Sequence, residues 1–129
     1  MKHGLAIILM LTFLSCNNDS MTTLADLNGK WVDINTKTDT LTFGLFGGKE
    51  SMILGRGKET RNGFILPKYG SGPYDYNLLT GDKISLRWTL SSNGSFNEYY
   101  LKQSGDKLTI EKFFDPSTSG TMLTFKKLD

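Results

Sequence analysis

The chain has 129 residues, with 15 basic and 13 acidic side chains, 14 glycines, three prolines, one cysteine and one histidine. That length allows one modest domain and excludes a large multidomain enzyme. A hydrophobic content of 38%, with eight Phe, five Tyr and two Trp, suffices for a packed core and is too apolar for a disordered tail.

At the start, Met1-Lys2-His3 supplies one firm positive charge, and Gly4 to Leu14 is an apolar run broken only by Thr12. A bilayer-spanning helix needs roughly 20 apolar residues, so the run reads as a cleaved secretory signal over residues 1–15. Ser15 then precedes the only cysteine, Cys16. The small residue before a cysteine at the end of an apolar run resembles the lipobox of bacterial lipoproteins. That resemblance implies an acylated Cys16 as the mature N-terminus and a membrane as partner. Each buried methylene contributes about 0.8 kcal/mol, and two or three chains anchor stably. The polar stretch Asn17 to Ala25 suits a flexible tether, so residues 16–26 are expected to join lipid to domain.

Loss of residues 1–15 removes His3 and Lys2, leaving 14 basic against 13 acidic side chains, a net +1, and no histidine. The longest basic run is Lys126-Lys127, so nucleic acid is not an expected partner. Without imidazole, Ser-His-Asp and Cys-His nucleophile systems cannot be assembled, and zinc sites lose their usual ligands. No metal or other cofactor is expected, and the chain reads as noncatalytic. Ser104-Gly105-Asp106-Lys107 has S-x-x-K spacing, but Gly105 points to a turn rather than a helix. Gly44 to Lys49 lacks the first glycine and the hydroxyl residue of a phosphate loop. Glu50, Glu59, Asp75, Glu98 and Glu111 could supply a glycosidase pair, although charges on solvent-facing strand positions explain them equally.

From Leu27 onward apolar and polar residues alternate with the period of half-buried strands. Expected strands cover residues 29–34, 39–46, 49–55, 59–66, 73–79, 83–91, 95–103, 107–114 and 120–128. Leu41, Phe43 and Leu45 form one dry face, and Ile84, Leu86, Trp88 and Leu90 another; Phe113-Phe114 breaks the rhythm and suggests a bulge or twist. Gly47-Gly48, Asn62-Gly63, Gly81-Asp82, Asn93-Gly94 and Gly105-Asp106 mark reversals. Residues 55–73, rich in glycine, are the least regular part and suit a lid or broken strand. Eight or nine antiparallel strands of this length remove their exposed edges by closing, so the fold class is all-β: a meander closed into a small barrel over residues 27–129.

Leu27-Asn28-Gly29-Lys30-Trp31 carries a G-x-W pattern, and Lys126-Lys127 lies on the last strand, where a cation can cover the indole. With the Gly-Asp-Lys strand starts, the chain resembles a small lipocalin-like lipoprotein of Gram-negative bacteria. Trp31, Lys126 and Lys127 are then the barrel-closure residues, and the outer membrane of the cell envelope is the implied location. The resemblance implies a carrier of a small hydrophobic ligand, lined by Phe43, Tyr76, Leu86 and Trp88 with Tyr74, Tyr99 and Tyr100 at the mouth. A barrel this narrow also accommodates a core filled by those same aromatics. Three functions follow: a noncatalytic anchored ligand binder; a surface or periplasmic interaction module for an envelope protein, working as inhibitor or accessory subunit through loops around Tyr69 to Tyr76; and, distantly, a carboxylate-dependent glycan hydrolase.

Overall fold

Residues 22–128 are described by a computed structural model; the expected signal, Cys16 and the first part of the tether lie outside them. Ten strands follow a one-turn helix α1 (Leu24–Leu27): β1 (Gly29–Asp33), β2 (Thr40–Phe46), β3 (Lys49–Gly55), β4 (Lys58–Arg61), β5 (Phe64–Pro67), β6 (Gly72–Leu79), β7 (Lys83–Trp88), β8 (Asn97–Ser104), β9 (Lys107–Glu111) and β10 (Met122–Lys127). Eight of them close into one antiparallel barrel in the order β1-β10-β9-β8-β7-β6-β3-β2, and β4-β5 forms a separate two-stranded hairpin. The all-β closed barrel is therefore the fold, and it has eight strands.

Period-two alternation places the core. Trp31, Leu41, Phe43, Met52, Leu54, Ile84, Leu86, Leu101, Leu108, Ile110 and Phe125 are buried inward-facing side chains. An eight-stranded barrel is only wide enough for side chains or one small guest, and here side chains fill most of it. The closing seam pairs Trp31 with Lys127, Val32 with Lys126 and Asp33 with Phe125. The fully buried Trp31 donates its indole Nε1–H to the Leu27 carbonyl at 2.8 Å. Lys127 Nζ stands 5.4 Å from the centroid of the Trp31 ring.

Composition suggests a tether as far as residue 26, but the chain is already ordered at Thr23. The Thr23 side chain caps the helix by accepting from the Asp26 amide, and Asp26 in return accepts from the Thr23 amide. Leu27 is then driven into the core beside Trp31, at the end of the barrel that carries the short β2-β3, β6-β7 and β8-β9 turns.

Three expected elements are corrected. The strand expected over residues 59–66 is two strands, because Asn62 and Gly63 both take positive φ (51° and 79°), the conformation of a two-residue hairpin turn. Arg61 then faces Phe64 across the turn, and the hairpin leaves the barrel, so β3 pairs directly with β6. The strand expected to reach residue 91 ends at Trp88, and Leu90 is 64% exposed rather than on the dry face. The one expected to reach residue 114 ends at Glu111, where Lys112 donates to the Thr121 carbonyl and the chain turns away with its two phenylalanines. Leu45 stays in β2 opposite Glu50 but is exposed, because β2 runs on past Phe43, the last residue it pairs with β1.

Trp31 lies at the seam, so its loss should act on the whole fold. Trp31→Ala is expected to destabilise by about 3–5 kcal/mol in urea unfolding. Trp31→Phe should cost less, chiefly the stranded Leu27 carbonyl and the unfilled volume; equal losses in the two variants would contradict this packing role.

Candidate functional site

The end of the barrel opposite α1 carries the longer connections, and there a cup of about 220 Å³ opens. Its walls come from three neighbouring strands: Tyr74 on β6, Leu86 and Trp88 on β7, and Asn97 and Tyr99 on β8. Phe113 and Phe114, folded inward past the end of β9, close a further side. The rings hold one another edge to face. Tyr74 and Phe113 have centroids 5.0 Å apart, Tyr69 and Trp88 5.1 Å, and Phe113 and Phe114 5.2 Å.

Polar handles within this cluster are tied to the backbone, which fixes the rings. The Tyr74 hydroxyl donates to the Gly70 carbonyl at 2.6 Å, and Trp88 Nε1–H donates to the Ser71 carbonyl at 3.2 Å. Gly70 sits at φ +84°, where a Cβ would come 2.7 Å from Phe114 Cβ, so the close approach of these segments requires glycine. Arg56 clamps the rim: its Nη1–H donates to the Tyr69 carbonyl at 2.7 Å, its guanidinium lies 4.4 Å from the Phe114 ring centroid, and its Nε lies 3.7 Å from Asp39. Burial drives the Tyr74 phenol far above its ordinary range and raises Tyr99 too, with Glu111 adding to the latter. The cup therefore offers neutral hydroxyls and ring faces.

The sequence-derived candidates divide between cup and core. Leu86 and Trp88 line the cup, together with Tyr74 and Tyr99. Phe43 and Tyr76 lie deeper, packed edge to face at 5.5 Å. The Tyr76 hydroxyl donates to Glu50 at 3.3 Å, and burial, reinforced by that carboxylate, pushes its pKa up to about 12. Tyr100 pairs with Lys83 and does not line the cup. Lys126 lies on the exposed side of the seam, opposite Val32. Tyr69, expected only as part of an interaction loop, lines the cup, and Phe113, Phe114 and Asn97 complete it although none of the three was expected at the site. The broken rhythm at Phe113-Phe114 was the only signal for those two, and alternation cannot tell where residues beyond a strand end will fold.

The five carboxylates weighed as a hydrolytic pair are each engaged separately. Glu59 meets Arg61 at 3.1 Å, Glu98 lies 3.9 Å from Lys83, and Glu111 accepts from the Tyr100 amide at 3.2 Å. Ser104 and Lys107 close the β8-β9 turn, and residues 44–49 form the β2-β3 hairpin. Asp75 is the most enclosed of the five, its side chain 9% exposed on the outer face beneath Lys49 (2.7 Å) and Arg87. Hydrogen bonds from Lys49 and then Arg87 hold it below its ordinary value of 3.8.

Comparison with protein-family models, with curated proteins and with solved structures gives no match to the chain. The closed eight-stranded antiparallel barrel is compatible with a lipocalin-like fold.

The lowered pKa of Asp75 makes a signed prediction. Its ion pairs contribute fully above the unfolded value near 3.8 and are lost as pH falls through the lower folded value. Asp75→Asn should therefore reduce stability at neutral pH and flatten the stability profile below about pH 4, measured by urea unfolding across pH. A variant whose acid limb is as steep as the parent's would remove Asp75 as its origin.

Proposed function

We propose that this protein is a noncatalytic lipoprotein of the Gram-negative cell envelope, anchored in the outer membrane through Cys16, whose lipocalin-like barrel binds a small hydrophobic molecule at its mouth. The observation that carries the reading is the cup itself: an aromatic-walled recess whose rings are held by backbone hydrogen bonds, above an interior filled with side chains. Preformed recesses that combine ring faces with a few oriented polar groups are how proteins hold small ligands, and here Ser91, Asn93, Ser95 and Asn97 share the lining with the rings. Its volume of about 220 Å³ favours a compact guest over a long acyl chain. The N-terminal segment joins the barrel through α1, at the end opposite the cup, so a lipid on Cys16 does not obstruct the mouth.

The filled interior also favours a second reading, an interaction module acting as inhibitor or accessory subunit on an envelope protein. Tyr69, 59% exposed on the rim, is its best contact, whereas Tyr74 and Tyr76 are buried.

Native mass spectrometry of the protein purified from membranes separates the two. The carrier reading predicts a small guest that is retained by the parent and lost from Trp88→Ala; a guest-free parent that also fails to bind added apolar probes such as anilinonaphthalene sulfonate would contradict it. The same spectra should show a mature chain beginning at an acylated Cys16. An unmodified chain still carrying residues 1–15 would overturn the anchoring.

A further inference from the structure

The β4-β5 hairpin is not needed to close the barrel and packs little of itself against it. All four residues of β5 are exposed, with Phe64 at 69% and Ile65 at 72%. Phe64 and Leu66 point to one face of the hairpin and Ile65 and Pro67 to the other, as alternation requires. A hairpin that docks one sheet face on a protein needs one apolar side. This one carries β5 apolar side chains on both sides, next to the Asn62-Gly63 turn and opposite the polar residues of β4.

The charge around it is one-sided. Lys58, Arg61 and Lys68 surround the apolar residues, and Glu59 is the single acid, already paired with Arg61. Exposed Tyr69 follows, on the rim of an apolar groove of about 430 Å³ between the hairpin base and Leu90. An anionic bilayer surface meets both requirements: acyl chains accept apolar groups on every side, and the headgroups attract the basic ones.

We propose that the β4-β5 hairpin is a membrane-contacting arm, inserting Phe64 and Ile65 into the headgroup and acyl boundary of an anionic phospholipid surface while Lys58 and Lys68 lie among the phosphates. Insertion is shallow, since the outer edges of a two-stranded hairpin have backbone groups that need water. The arm acts independently of the lipid on Cys16 and of any guest in the cup. It gives the tethered barrel a second point of attachment and thereby an orientation.

Because a lipid anchor alone would hold the chain on vesicles, the test is read at the hairpin. Full-length protein carrying Ile65→Trp is bound to vesicles of phosphatidylethanolamine and phosphatidylglycerol containing brominated acyl chains, with the parent run alongside to subtract Trp31 and Trp88. The introduced indole should be quenched and blue-shifted, and much less so on phosphatidylcholine vesicles or in high salt, which screens surface charge. Lys58→Glu with Lys68→Glu should abolish the quenching without shifting the unfolding midpoint. In the chain with Cys16→Ser, Phe64→Ser with Ile65→Ser should lower vesicle partitioning at least about tenfold. An unquenched indole, or quenching indifferent to lipid charge, would overturn the proposal. So would a photo-crosslinker at position 65 that labels protein and no lipid in cells, which would assign the arm to a polypeptide partner.

Discussion

The structure depends on the hydrogen-bonded closure of its first strand onto its last. An open sheet of these strands would leave two edges of unpaired amides and carbonyls and half of its apolar face wet. Closure removes both costs at once, and it is made around Trp31. The indole is buried among side chains, its N–H is satisfied by Leu27, and Lys127 from the opposite strand stands over its ring. One residue therefore links the N-terminal cap, the seam and the core. The Ile34 amide donating to Thr124 and the Leu128 amide donating to Lys30 extend the closure beyond both ends of the paired residues.

Once the barrel is closed, its two ends can differ. At one end the turns are short and α1 inserts Leu27 into the core. At the other the β3-β6, β7-β8 and β9-β10 connections are long enough to carry side chains of their own. Phe113 and Phe114 turn inward from one of them, and the β4-β5 hairpin turns outward from another. The same barrel thus presents an enclosed aromatic recess and an exposed apolar arm side by side. Arg56, at the root of the hairpin, touches Tyr69, Asp39 and Phe114, which holds the arm's base to the cup's rim.

The fold was legible because its signals are local. Alternation through Ile84, Leu86 and Trp88, and glycine-containing reversals such as Gly105-Asp106, mark strand and turn without knowledge of neighbours. Closure followed from the cost of edges. The hairpin was harder: Asn62-Gly63 signalled a reversal, yet the apolar run of Phe64, Ile65 and Leu66 reads as a core strand when its exposure is unknown. The cup was only half legible. Leu86, Trp88, Tyr74 and Tyr99 sit on strands whose inward face could be counted, whereas Phe113, Phe114 and Tyr69 are placed by tertiary packing of irregular segments. Phe43 and Tyr76 share the inward face with the cup residues, and periodicity gives no depth along the barrel axis to separate them.

Amide hydrogen exchange at the seam tests the closure most directly. Ladder amides between Trp31–Asp33 and Phe125–Lys127 should be protected to the same free energy as those of the β2-β3 and β6-β7 pairs, because opening the seam unfolds the barrel. Exchange at the seam through a much cheaper local opening, with β2-β3 and β6-β7 still protected, would show a sheet with free edges and contradict the account.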